Sequence, residues 1–148
     1  MKIVVAVDFS EVTRKIIEIV GRMPSQMASH VFLIHAAEPN PDFVGWDAGP
    51  EVVRDQMAAE FHREHRDLEA LAEELRAAGH EVTALLIQGP TVETILKETR
   101  KLGGNLVVVG SHGHGAAYNL LVGSISSDVI RKSAIPVLVV PSPRPEPE

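Results

Sequence analysis

Five runs of apolar residues divide the chain at intervals: Ile3–Val7, His30–Ile34, Val82–Ile87, Leu106–Val109 and Pro136–Val140. They are rich in β-branched residues, which pack well on a pleated surface. They are also continuous rather than alternating, the pattern of strands covered on both faces. Between them the apolar positions recur every three or four residues. From Glu11 to about Met23, the residues Val12, Ile16, Ile19, Val20 and Met23 fall on one side, with Ser10 placed as an N-cap. The longest periodic stretch runs from about Pro50 to Ala78. It carries Val53, Met57, Phe61, Leu68, Leu71 and Leu75 inward and stops at Gly79. A third helix is predicted from Thr91, with Val92, Ile95, Leu96 and Leu102 inward, ending at Gly103-Gly104. A fourth starts at Ser124 with Ile125, Val129 and Ile130 inward.

The order is therefore β-α-β-α-β-α-β-α-β. This alternation predicts an α/β fold: a doubly wound, five-stranded parallel sheet in a single domain, with helices on both faces and right-handed crossovers. Rossmann-like and flavodoxin-like arrangements are the natural frames, and both place ligands at the carboxyl ends of the strands, near a switch point. Two segments read as loops: Glu38–Pro50, and the Pro-rich end, where alternating prolines forbid helix and central strand. The expected division is a domain over residues 1–141 and a flexible tail over 142–148.

Composition narrows the function. The 148 residues are 45% apolar and 23% charged, which suits one globular core. A formal net charge of −6 argues against binding nucleic acid or an anionic membrane surface, because both need a positive field. It leaves room for a small phosphate held by backbone dipoles. The absence of cysteine excludes disulfides and thiolate metal sites. The opening residues lack a signal-peptide pattern, and no run is long enough to span a bilayer, so a cytoplasmic protein without membrane insertion is expected.

The densest chemistry lies between Gly110 and Ser124. An apolar strand opens there into Gly110-Ser-His-Gly113, and after a nine-residue gap Gly123-Ser124 leads into a helix. Glycines let backbone N–H groups turn toward a phosphate, and a helix N-terminus adds partial positive charge. The bland alternative is that these glycines make turns and Ser124 caps a helix. Asp8 ends the first strand, where its carboxylate would accept ribose hydroxyls or bind Mg2+; alternatively it serves an Asx-turn before the helix.

Other phosphate motifs fail. There is no P-loop lysine, and the G-x-G beginning at Gly113 meets Tyr118 where a dinucleotide fingerprint needs glycine or alanine. His112 and His114, even with Asp8, make a weak metal set. His62 and His65 read as a solvated helix face, and His35 as a satisfied buried histidine. Phe43 and Trp46 either fold over a base as a lid or pack against the long helix or a partner subunit. No nucleophile–base pair or nucleophile elbow is evident, so no catalytic residue is assigned.

The residues Gly110, Gly113, Gly123 and Ser124 satisfy G-x2-G-x9-G-[ST], and on that spacing the chain resembles the ATP-binding branch of the universal stress protein (UspA) family, whose fold is adenine nucleotide alpha hydrolase-like. The opening Val4–Ser10 and the closing Ile130–Pro141 are similar as well, so the likeness covers about residues 1–141. It implies that Ala6, Val7 and Asp8 border adenine and ribose, with Asp8 the ribose carboxylate. It implies that the Ala36 backbone recognises adenine and that Val109 and Gly110 flank the nucleoside. Ser111, His112, Gly113, Gly123, Ser124 and Ile125 would surround the triphosphate. The ligand implied is ATP, or ADP, AMP or a cyclic nucleotide, with or without Mg2+. The resemblance also implies a homodimer through strand 137–140, which would cover an exposed apolar edge. A regulatory, nucleotide-dependent stress-response role with an unidentified protein partner follows from it. A slow ATP hydrolase and a nucleotide-free interaction module are the alternatives.

Overall fold

The computed structural model describes residues 1–38, 50–112 and 122–143. The chain forms β1 (Lys2–Ala6), α1 (Glu11–Arg22), β2 (His30–Ala37), α2 (Pro50–Ala77), β3 (Val82–Gln88), α3 (Thr91–Leu102), β4 (Leu106–Gly110), α4 (Ser124–Lys132) and β5 (Val137–Val140). All strands pair in parallel, in the order β3-β2-β1-β4-β5. The chain winds outward from β1 to β3, then crosses back and continues through β4 to β5. Its direction therefore switches between β1 and β4, and the strands diverge above that point.

The continuous apolar runs follow from the two faces. Ile3, Val5, Val31, Leu33 and Val108 meet Val12, Ile16 and Val20 of α1 and Leu68, Ala72 and Leu75 of α2. Their neighbours point the other way. Val107 and Val109 meet Val92, Ile95 and Leu96 of α3 and Val129 of α4, while Val4, Phe32 and Ile34 form a smaller cluster on the same side. Each strand must be apolar at both parities, since side chains alternate across it. The edge strands are less demanding, and most of β3 and β5 is only half-buried.

Glycines end two helices as expected. Gly79 (φ 98°) and Gly103 (φ 69°) adopt the left-handed conformation after α2 and α3. Three expectations are corrected. Met57 is 42% exposed, within a first half of α2 whose described side chains are exposed or half-buried. Ile125 and Ile130 are 44% and 45% exposed, and α4 buries Ser126 and Val129 instead. Ser10 stands at the N-cap of α1 but makes no capping bond; its hydroxyl turns back to Asp8.

Candidate functional site

Above the switch point lies a cavity of about 100 Å3, lined from β1 and its turn by Ala6, Val7 and Asp8. β2 contributes Ile34, His35 and Ala36, and β4 with the residues after it contributes Val109, Gly110 and His112. Val12 and Ile16 of α1, Thr91 and Ile95 of α3, and Ile125 and Ser126 of α4 complete the wall. Eight of the residues assigned from the sequence thus converge on one cavity. Ser111, Gly123 and Ser124 stand beside it. Gly113 lies outside the described residues, as do His114, Phe43 and Trp46.

The β1 end is held by backbone and imidazole together. Val7 N–H donates to Ile34 O at 2.9 Å, extending the sheet by one bond. His35 Nδ1 lies 2.8 Å from Val7 O, which can only accept, so that nitrogen carries the proton. The opposite nitrogen, Nε2, faces the Glu64 carboxylate at 3.6 Å, and the Phe9 ring packs on the imidazole at 4.7 Å. His35 is therefore a satisfied histidine, as its place after an apolar strand suggested. Its bond has a consequence for Ala36. Ile34 faces β1 and Ala37 bonds Gly89 N–H on the β3 side, so Ala36 faces β1. Val7 O on that side accepts His35 Nδ1–H. The Ala36 amide and carbonyl thus face the cavity, where β1 has already left the sheet.

Asp8 begins the turn into α1. Its Oδ1 accepts Ser10 N–H at 3.0 Å and Ser10 Oγ–H at 2.5 Å. This is the Asx-turn that the sequence left open, and the carboxylate lines the cavity at the same time. Phe9 takes a left-handed φ of 61° so that the chain can leave β1 with Asp8 at the rim.

The glycine motif divides into separate tasks. A Cβ on Gly110 would lie 2.4 Å from Val12 Cγ1, so this glycine admits α1 against β4. Ser111 N–H donates to Val140 O at 2.8 Å and Gly123 N–H to Ser111 O at 2.6 Å. Those two amides are spent inside the protein, which corrects the expectation that the Gly123 amide meets phosphate. The N-cap of α4 is Gly123, and Ser124 is the first helical residue, not the cap. Ser127 N–H makes the first helical bond, to Gly123 O at 2.9 Å. The amides of Ser124, Ile125 and Ser126 precede the point at which a helix supplies acceptors, and glycine has no side chain to cap them.

Ser126 was not legible as a site residue. Its buried hydroxyl donates to Gly110 O and, at 3.2 Å, to Ser111 O, pinning α4 over the end of β4. α3 also begins at this rim, but Glu38 Oε1 accepts both Thr91 N–H (3.0 Å) and Thr91 Oγ1–H (2.9 Å). Among the described residues no Lys or Arg lines the cavity, and the start of α4, with its first amides, is what they offer an anion. Among the described residues no cluster of three His, Asp or Glu could hold a metal ion. No helix among them is long and apolar enough to cross a membrane.

Residues 1–141 match the model of the universal stress protein family. Universal stress protein MJ0577 of Methanocaldococcus jannaschii is 26% identical over 94% of this chain and 93% of its own. A universal stress protein of Thermus aquaticus is 30% identical over 93% of this chain and 96% of its own. The solved structure of MJ0577 superposes with a TM-score of 0.82 over 97% of this chain and 98% of that one. Two more distant structures share the fold. One is a universal stress protein in complex with cAMP (20% identity, TM-score 0.63, 95% and 96% covered). The other, from Archaeoglobus fulgidus, is in complex with dAMP (21% identity, TM-score 0.58, 95% and 97% covered).

Proposed function

Because the chain belongs to the universal stress protein family, we propose that it binds an adenine nucleotide, ATP foremost, in the cavity above β1 and β4 and acts as a nucleotide-dependent regulatory protein. The observation that carries this reading is the convergence of three features on one cavity. These are the Ala36 backbone facing it, Asp8 on its rim, and the uncapped start of α4 beside it. Ala36 offers a donor and an acceptor to the edge of a base. Asp8 offers its carboxylate to ribose hydroxyls. The Ser124–Ser126 amides and the Ser124 hydroxyl offer donors to phosphate. The adenine nucleotides carried by two relatives of this fold agree with that choice.

Calorimetry with ATP, ADP, AMP and cAMP, each with and without Mg2+, tests the proposal, and binding of none of them refutes it. Ser124→Ala should weaken ATP binding while shifting unfolding stability by no more than about 0.5 kcal/mol, since Gly123 is the cap. Asp8→Asn should reduce the preference for ribose over 2′-deoxyribose ligands. The edge position of β5, with Val137, Leu138 and Val139 half-buried, supports a homodimer through residues 137–140. Sedimentation as a monomer at working concentration would refute that part.

A further inference from the structure

One polar atom at the phosphate end of the cavity is unaccounted for. His112 Nε2 is buried and has no hydrogen-bond partner among the described residues. The ring lines the cavity, and a Cβ built on Gly123 would lie 3.7 Å from its Cδ2, so this edge stands toward the start of α4.

The other nitrogen, Nδ1, lies 3.1 Å from Ser111 Oγ. Ser111 is buried, and its Oγ already accepts Ser142 N–H at 2.9 Å. The hydroxyl proton then has two acceptors to choose from: His112 Nδ1, or Ser142 Oγ at 3.4 Å. The imidazole nitrogen is the nearer and the stronger acceptor, which favours the arrangement in which Ser111 donates to it. A neutral ring that accepts at Nδ1 carries its proton on Nε2.

We infer that the segment after β5 sets the tautomer of His112 through the chain Ser142 N–H to Ser111 Oγ–H to His112 Nδ1, and thereby holds Nε2–H as a neutral donor for a nucleotide phosphate. The ligand part of this inference rests on the nucleotide-binding reading above. A metal ion would need a lone pair on Nε2, which this relay removes. A phosphate oxygen supplies the acceptor that Nε2–H lacks, at the helix end whose first amides have no acceptor within the helix. The C-terminal segment is tied to Ser111 twice, since Ser111 N–H also donates to Val140 O. Ser142 stands between Pro141 and Pro143, so its N–H is the one backbone donor in that stretch. It also lies one position beyond the family match at residues 1–141.

The relay uses a backbone N–H, which allows a clean comparison. Ser142→Ala keeps the donor and Ser142→Pro removes it. Long-range 1H–15N spectra of the nucleotide-free protein should show His112 in the Nε2–H form in the natural protein and in Ser142→Ala. Ser142→Pro should shift it toward the Nδ1–H form and weaken ATP binding by about tenfold, with adenosine binding unchanged. Ser111→Ala should reproduce both effects, and thermal unfolding checks that each variant is folded. If Ser142→Pro does not fold, Ser111→Ala decides. An Nδ1–H ring in the natural protein, or equal ATP affinity in Ser142→Ala and Ser142→Pro, overturns the inference. A protein with the Nε2–H ring that binds no nucleotide refutes the ligand and leaves the relay standing. ATP binding with the Nδ1–H ring refutes the relay alone.

Discussion

Gly110→Ala isolates a question that the motif leaves open: whether its first glycine serves the ligand or the core. A Cβ at this position would sit 2.4 Å from Val12 Cγ1 and 3.2 Å from Cγ2, where ordinary contact begins near 3.4 Å. Val12 is buried in the first turn of α1, packed with the β1–α1 core, and a β-branched side chain in a helix has one strongly preferred rotamer, so turning its methyls toward the cavity is itself costly. Relieving the clash means moving α1 away from β4 by about 1 Å, an overpacking cost at the upper end of the usual range, about 3 kcal/mol. For a domain of this size that is a fall of about 6–12 °C in Tm. Val12→Ala alone deletes two methyls and should cost about 2 kcal/mol. In the double variant the two changes fill each other's space, so its loss should be smaller than the sum by about 1–2 kcal/mol. Denaturant unfolding followed by circular dichroism supplies all four corners of the cycle, and calorimetry with ATP runs beside it. Strict additivity, or a Gly110→Ala protein that melts with the natural one yet has lost ATP binding, would refute the packing role.

Two further outcomes follow from the same geometry. Ser126→Ala should cost about 1–2 kcal/mol, because the buried hydroxyl holds two carbonyls at the end of β4; denaturant unfolding checks this. The Arg14–Glu74 bridge joins α1 to α2, and the hydrogen bond from Arg14 holds the Glu74 carboxyl below its ordinary value of 4.5. A lowered folded pKa means stability that is complete above the ordinary value and lost as pH falls through the folded one. Both side chains are about half exposed, so the contribution is about 0.2–1 kcal/mol. Glu74→Gln should be less stable by that amount near pH 7 and match the natural protein near pH 2, measured by urea unfolding at both.

The fold was legible because its strands are buried on two faces. Continuous β-branched runs separated by helical periods admit few arrangements, and the bounds expected for the strands fall within a few residues of those observed. The errors came where burial depends on what lies opposite. Met57 keeps the helical spacing of α2 but lies in its exposed first half, and the exposed Ile125 and Ile130 share α4 with the buried Ser126. Local patterning records the period of a helix, not the extent of its partner. Much of the cavity's lining was legible from the sequence, and the bonds its residues make were less so. Asp8 and Gly110 were found from their places at strand ends. The two-carbonyl grip of Ser126, the Glu38 contact with Thr91 and the link from Ser142 to Ser111 join residues far apart in sequence, and no spacing rule reports them.

The distribution of acidic groups along the rim explains how a chain of net charge −6 can receive a polyanion at a chosen place. Among the described residues α1, α3 and α4 begin beside the cavity. α1 is preceded by Asp8, whose carboxylate binds Ser10, and α3 begins at Thr91, whose amide binds Glu38. Of these three, α4 alone starts behind a residue with no side chain. A carboxylate introduced at that position would do for α4 what Glu38 does for α3, so Gly123→Asp should bring its own anion to the donors that phosphate needs. The backbone at Gly123, φ −74° and ψ 171°, suits any residue, but a Cβ there approaches Ser111 O at 3.1 Å. Gly123→Ala shares that crowding and lacks the carboxylate, so it is the proper reference. Relative to Gly123→Ala, Gly123→Asp should be more stable by about 1 kcal/mol as an N-cap and should bind ATP more weakly, with the penalty growing from AMP to ATP. Stability and affinity would then move in opposite directions from one substitution. If both variants bind alike, the start of α4 is not where the phosphates lie.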